Sequence, residues 1–469
     1  MAGEWPHELD ERLPAYLGGQ RWFSGAVAPP RADVEVVATT EMWSDAGGDH
    51  RLWHVLVAVA EDLYQLVIGE RPEAEQAEFL HGHEEALIGR ARGSHYYDAT
   101  VDPDLARHLL ECASDGREVA ALVRPLGVEQ SNTSLVFDDR IIFKIFRRLH
   151  RARNPEVEVS TALAAAGFTH VATPLVEWRE GGYDLGYGQQ YLVGATDGWA
   201  LALTSLRDLF NADRPGTPGE AGGDFGAEAE RLGRVTADMH LALAEVFGPA
   251  SAAETGARWR ALVSGLAGRL ERAGASAGVD FLSEAGALLA RLEAVEDPGP
   301  GLRVHGDFHL GQVMRTDDGW YVLDFEGEPA RAVEERVAPT SVLKDVTSML
   351  RSLHYASLHA LGERTRAEWA ELGALAAAWE SHNRGAFLDG YWSCPGVDAL
   401  MPASPARPAV MAAYELDKAL YELDYEMAHR PDWVFIPRDA LERLIGGGAP
   451  GTGRAGPAGD DPGRGGADG

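Results

Sequence analysis

The sequence predicts an α+β protein, with strands gathered in its first part and helices filling the second. Three observations carry that expectation. Short apolar runs of strand composition, Leu52–Val59, Leu63–Ile68 and Ile141–Ile145, all fall early in the chain. From about residue 200 onward helical periodicity dominates, interrupted by strand-like runs only at 302–304, 312–315 and 320–325. Those late strands frame a short polar loop of histidines and acids, the densest chemistry in the chain.

Composition narrows the classes. A chain of 469 residues, 45% of them hydrophobic, can hold two or three domains and a sizeable core. It has no run of eighteen apolar residues and so no membrane span. Its first residues, MAGEWPHELDERLPAYL, carry acids where a secretory signal carries positive charge, which implies a cytoplasmic protein. Only Cys112 and Cys394 are present, which excludes a disulfide framework and suggests packing roles for both. The net charge of −31, with no basic patch, argues against nucleic acid or anionic membranes as partners. A small-molecule substrate and a monomer or weak homodimer are expected instead. Of 42 basic side chains only three are lysines: Lys144, Lys344 and Lys418. Where positive charge alone was needed the chain uses arginine, so each lysine carries more information than usual.

The elements follow in order. A short helix and the loop QRWFSG open the chain, and a hairpin of 52–59 and 63–68 follows. Residues 74–92 read as a helix and Val119–Val123 as a strand. A second hairpin, Ser134–Phe137 and Ile141–Ile145, turns at Asp138-Asp139-Arg140. Asn154-Pro155 is a fair helix start, an N-cap followed by proline at the first helical position. Strands are expected around Val171–Glu177 and Gln189–Val193. Helices should span 200–211, 225–247, 255–273, 280–294, 340–361, 365–388 and 407–428. Residues 446–469 hold eleven glycines in 24 positions and should be disordered.

The strongest chemical signal is Val304-His305-Gly306-Asp307-Phe308-His309-Leu310-Gly311-Gln312, followed by Trp320-Tyr321-Val322-Leu323-Asp324-Phe325-Glu326. Phosphoryl transfer needs one carboxylate to orient the attacking hydroxyl and another to hold magnesium against the phosphates. Asp307 fits the first role and Asp324 the second, with the Gln312 amide as a further metal ligand. No helical HExxH is present, so the histidines do not indicate zinc.

These segments resemble the catalytic and metal-binding loops of the aminoglycoside phosphotransferase and choline kinase superfamily, whose usual pattern is HGDxHxxN followed by a DFG- or DFE-like acid. Gln312 in place of asparagine, together with LDFEGEPAR at 323–331, is similar to the actinobacterial maltokinase-like branch, which contains maltokinases and glucosamine kinases. QRWFSG, the 129–134 segment, FKIFRRL, ATDGW at 195–199 and YELDKALYELDYE at 414–426 extend the likeness over nearly the whole chain. The resemblance implies a bilobal, protein-kinase-like fold and ATP and Mg2+ as cofactors. It divides the chain into an N-terminal cap (1–90), a strand-rich nucleotide lobe (91–195), a helical lobe with catalytic loop and substrate site (196–445) and the tail. Lys144, on a hairpin strand, is then placed to pair with the α/β-phosphates. Glu158 on the next helix would hold its ammonium, with Glu156 the alternative. Ser131, Asn132, Thr133 and Ser134 form a polar loop in place of a glycine-rich phosphate cover. Gln190 and Leu192 stand in the interlobe hinge, whose backbone would meet adenine.

For the acceptor, the 408–428 helix carries Leu416, Leu420, Leu423 and Met427 as a core stripe. Glu415, Glu422 and Glu426 flank it on one side; Asp417, Tyr421 and Asp424 flank the other. Either flank is a solvated surface or presents carboxylates to a sugar or an ammonium group. Trp433 either stacks on a sugar face or pins the C-terminal segment. The surplus of acids favours glucosamine as substrate, with maltose and a non-catalytic nucleotide-binding role as alternatives. Glu415, Glu422, Asp424 and Trp433, with Asp307, make up the expected substrate set.

Overall fold

The computed structural model describes residues 4–23, 27–75, 78–126, 132–212, 217–219, 224–277, 281–328 and 331–446. Ser131 and the tail beyond Gly446 lie outside them. The chain divides into two compact units, one formed by the residues up to Thr196 with Gln312–Val337, the other by Asp197–Gly311 with the residues from Ala338 onward. The division falls inside the histidine-acid motif, between Gly311 and Gln312.

The first unit is built on two antiparallel sheets. Strands β1 (Val34–Ser44), β2 (Arg51–Val59), β3 (Asp62–Pro72), β4 (Leu87–Ala91) and β5 (Ser94–Asp98) run in the order β1-β2-β3-β5-β4. The second sheet uses β6 (Val123–Pro125), β7 (Asn132–Phe137), β8 (Ile141–Phe146), β10 (Pro174–Glu180) and β11 (Tyr183–Gln190), ordered β10-β11-β8-β7-β6. A short β9 (Arg148–Leu149) continues from β8 and pairs with β3, tying the sheets together. Strand β3 lies between β2 and β5, and its central residues Tyr64–Gly69 are buried on both faces. That position explains why it reads as an apolar run, broken only by the buried Gln65, whose amide is hydrogen-bonded to His54 and to the Phe146 carbonyl.

Three sequence expectations are corrected here. Residues 78–91 do not form a helix: two single 3-10 turns, Glu78–Leu80 and Glu84–Ala86, lead into β4. The strand expected at 119–123 begins only at Val123. The strand expected from Ser134 begins two residues earlier, so Asn132 and Thr133 belong to β7 rather than to a loop, and 132–134 pair with Phe146, Ile145 and Lys144. The 138–140 turn is as expected: three residues join Phe137 to Ile141, and Asp138 and Asp139 both take positive φ, at 51° and 49°.

The second unit is helical, with Gly198–Phe210, Gly226–Phe247, Ala252–Ala277, Leu343–Gly362, Arg366–Trp392, Arg407–His429 and Phe435–Ile445 as its main helices. Gly226–Phe247 and Arg366–Trp392 cross closely at Gly233 and Gly390, where an added Cβ would lie 2.0 Å from backbone oxygen of the other helix. Among the described residues no helix is long and apolar enough to cross a membrane.

Candidate functional site

In the first unit, Lys144 projects from β8 and donates to the Glu156 carboxylate at 2.7 Å. Glu156 sits in the first turn of the Pro155–Ala165 helix, whose Asn154 cap accepts from the Glu156 N–H. The carboxylate that meets Lys144 is therefore Glu156. Glu158, the first choice from the sequence, is two positions on, about 200° round the helix. Glu156, Asp324 and Glu326 each present a carboxylate oxygen within 4.8 Å of the others. Burial, and then the charges of Asp324 and Glu326, push the Glu156 carboxyl up to about 7 against the pull of Lys144. Gln312 donates from its side-chain amide nitrogen to Asp324 at 3.1 Å, and its backbone carbonyl accepts from the Leu323 N–H at 2.9 Å. Asp324 has φ of 62°, a left-handed conformation that is costly for an aspartate and clusters at functional sites. Gln312 and Asp324, read together as metal ligands from the sequence, are thus neighbours in space.

The nucleotide-side expectations divide. Thr133 accepts from Arg147 Nε at 2.9 Å, and Ser134 is buried opposite Lys144. The N–H groups of Gln190 and Tyr191 donate to the Thr173 and Arg140 carbonyls at 2.8 Å, and the Leu192 carbonyl accepts from Ala195 at 3.3 Å.

In the second unit, the His305-Gly306-Asp307 turn hangs on Asp345. This fully buried carboxylate accepts from the N–H groups of His305 and Gly306 at 2.8 and 2.9 Å. His240 Nε2 reaches it at 3.2 Å, and His240 Nδ1 meets Tyr391 Oη at 2.8 Å. Gly306 turns the chain at φ of 89°, where a side chain would be strained. Asp307 accepts from Lys418 Nζ at 2.9 Å, and His309 Nε2 lies 3.8 Å from its other oxygen. Burial alone would raise the Asp307 carboxyl; the Lys418 ammonium and the two histidines instead hold it down at about 2.

Lys418 lies on the Arg407–His429 helix. Glu415 and Glu422, three residues before it and four after, share its face. Glu415 accepts from Arg384 at 2.9 Å and Glu422 from the buried Arg351 at 2.5 Å. Glu426 accepts from Tyr355 and Arg430 at 2.9 and 2.6 Å. Each of these acids already holds a neighbouring cation, so a substrate that meets one of them shares it with an arginine. Asp424 is exposed on a different side of the helix from Lys418. Trp433 stacks on His359, with ring centres 4.4 Å apart and planes 6° apart, so one of its faces is covered.

Residues 122–379 match the model of the phosphotransferase enzyme family, more than half of the chain, and 16–102 match the maltokinase N-terminal cap domain. The chain belongs to the phosphotransferase enzyme family. This phosphotransferase is 29% identical over 342 residues to a glucosamine kinase of Mycolicibacterium smegmatis, which covers 69% of this chain and 79% of that protein. It is 30% identical over 344 residues to a glucosamine kinase of Streptacidiphilus jiangxiensis, covering 69% and 73%. Among solved structures, a glucosamine kinase in complex with glucosamine, ADP and inorganic phosphate aligns with a TM-score of 0.64 at 24% identity. That alignment spans 95% of this chain and all of the other, so the kinase-like α+β fold expected from the sequence is the fold found.

Two residues of the phosphotransferase site escaped the sequence reading. Lys418 is 111 positions from Asp307, and only its rarity as a lysine singled it out. Asp345 lies in the first turn of its helix, and nothing in the neighbouring sequence marks it as the anchor of a turn 40 residues upstream.

Proposed function

We propose that this chain is an ATP- and magnesium-dependent sugar kinase that phosphorylates glucosamine, giving glucosamine 6-phosphate and ADP. The observation that carries the choice of sugar is the similarity, over more than two thirds of the chain, to two glucosamine kinases. The side chains support the chemistry. Asp307 is ionised at any working pH and accepts a hydrogen bond from the acceptor hydroxyl. With so low a pKa it is a weak proton acceptor, so its main work is orientation, and the proton moves late, as the new O–P bond forms. Lys144, held by Glu156, pairs with the phosphates. The Gln190 carbonyl and the Leu192 N–H meet adenine. Asp324 and Glu326 lie in a cluster of carboxylate oxygens of the kind a small hard cation takes, and Gln312, hydrogen-bonded to Asp324, would add its amide oxygen. Magnesium bound there supplies neutralisation of phosphate charge. Glu415 and Glu422, on the Lys418 face of their helix, are the better placed of the expected acids to meet the sugar; Asp424 is not on that face.

A second reading, phosphorylation of maltose, is favoured by the match of 16–102 to the maltokinase cap domain. Initial rates with ATP and magnesium on glucosamine, glucose and maltose decide between them. Glucosamine is expected to give the highest kcat/KM, and Asp307→Asn to lower its kcat by roughly a hundredfold or more. Faster turnover of maltose transfers the assignment to the second reading, and near-normal activity of Asp307→Asn removes Asp307 from its role.

A further inference from the structure

We infer that Arg147 couples the N-terminal cap to the nucleotide-binding strand, so that the cap sets the affinity for ATP. Arg147 follows β8 three residues after Lys144 and is only 1% exposed. Its Nε donates to Thr133 Oγ1 on β7 at 2.9 Å. Its Nη2 reaches Asp98, at the end of β5, at 2.7 Å. The guanidinium also lies over the Trp22 ring, 5.0 Å from its centroid. Asp98 and Trp22 both fall in the 16–102 cap match, while Thr133 lies outside it. One side chain therefore spans the cap and the strand that pairs with Lys144.

The cap end of this bridge is rigid. Asp98 accepts from Tyr16 Oη at 2.9 Å on one oxygen, and from the Thr100 N–H and hydroxyl at 3.1 and 2.7 Å on the other. Tyr16, Trp22, Trp53, Tyr64 and Tyr96 belong to the cap's own apolar core, so Asp98 cannot shift without disturbing it. The other end is less enclosed, because Thr133 is the second residue of its strand and half-buried. In register, Thr133 faces Ile145 and its neighbour Ser134 faces Lys144. A displacement of Thr133 is thus passed to the strand pair that places the ammonium. Filling the space would need only an apolar residue; a buried guanidinium is costly, and here Nη1 is left without an acceptor. What the arginine adds over a plug is the pair of directed bonds to Asp98 and Thr133.

The inference rests on the reading of Lys144 and Thr133 as nucleotide-side residues. Asp98→Asn and Arg147→Met are expected to raise KM for ATP by roughly two- to tenfold, with kcat and KM for the sugar nearly unchanged. Arg147→Lys, which can reach one partner but not both, should fall between wild type and Arg147→Met. In the Arg147→Met background, Asp98→Asn should add little further. Melting temperatures identify variants that fail to fold; if Arg147→Met is one of them, Asp98→Asn and Arg147→Lys carry the same test. A folded Asp98→Asn enzyme whose KM for ATP stays within twofold of wild type overturns the coupling while leaving the kinase assignment intact. An enzyme inactive with ATP on every sugar fails at the earlier step.

Discussion

Lys418 stands against Asp307, the residue proposed to orient the acceptor, and sets its charge state. A cation 2.9 Å from a carboxylate favours the ionised form, and the Asp307 carboxyl sits at about 2 as a result. The stability this pair contributes is present above the ordinary carboxylate pKa and is lost only as pH falls toward 2. Above pH 5 Asp307 is therefore charged, and it contributes no acid limb to the wild-type rate profile. Lys418→Met removes the cation while keeping the length of the stem. The Asp307 pKa should rise by roughly 1–3 units, bringing an acid limb up into the measurable range of kcat. A profile unchanged in shape between pH 3 and 6 would sink this account of Lys418. The site was legible where chemistry lies close in sequence, as with Asp307, Gln312 and Asp324. It was illegible where the partner comes from a distant helix, as Lys418 does. The choice between Glu156 and Glu158 needed the rotation of a helix about its axis, which packing decides and local sequence does not.

At the scale of elements, the long helices and apolar hairpins were readable because periodicity over many residues outweighs local noise. The edge strand β1 was missed: most of its side chains are exposed, and VEVVATTEMWS carries little apolar alternation. Residues 78–91 misled because their acids and alanines have helix propensity, which the pairing of β4 with β5 overrides. The Arg407–His429 helix was found with nearly its right bounds, yet its two acidic flanks could not be told apart without the contacts of Lys418. With that contact known, Glu422 is the flank residue to test. Its Oε2 is held by Arg351, and its other oxygen is the one proposed to meet the amine. Glu422→Gln should narrow the preference for glucosamine over glucose about tenfold, the scale of one charge-assisted hydrogen bond. It should also lower stability by roughly 1–3 kcal/mol, because the buried Arg351 loses its counter-charge. The ratio of kcat/KM values reads the first effect and a denaturant titration the second. A ratio that does not change leaves Glu422 as a structural partner of Arg351 alone.

At the scale of the whole molecule, the net charge of −31 sets a field that both substrates of the proposed reaction must cross. The magnesium nucleotide is an anion and glucosamine near neutral pH carries an ammonium group, so the field opposes the approach of one and favours that of the other. Salt weakens the field without altering close contacts: the screening length falls from about 30 Å at 0.01 M to about 8 Å at 0.15 M. Contacts such as Lys144 with phosphate act within a few ångströms and are screened much less. Raising ionic strength over that range at constant free magnesium should therefore raise kcat/KM for ATP and lower kcat/KM for glucosamine. The two slopes should have opposite signs, and glucose, a neutral acceptor, should show almost none. The sign for glucosamine should also fade as pH rises and the amine loses its proton. Slopes of the same sign for nucleotide and amino sugar would mean that the local charges of Lys144, Lys418 and the buried arginines, not the total charge, govern substrate capture.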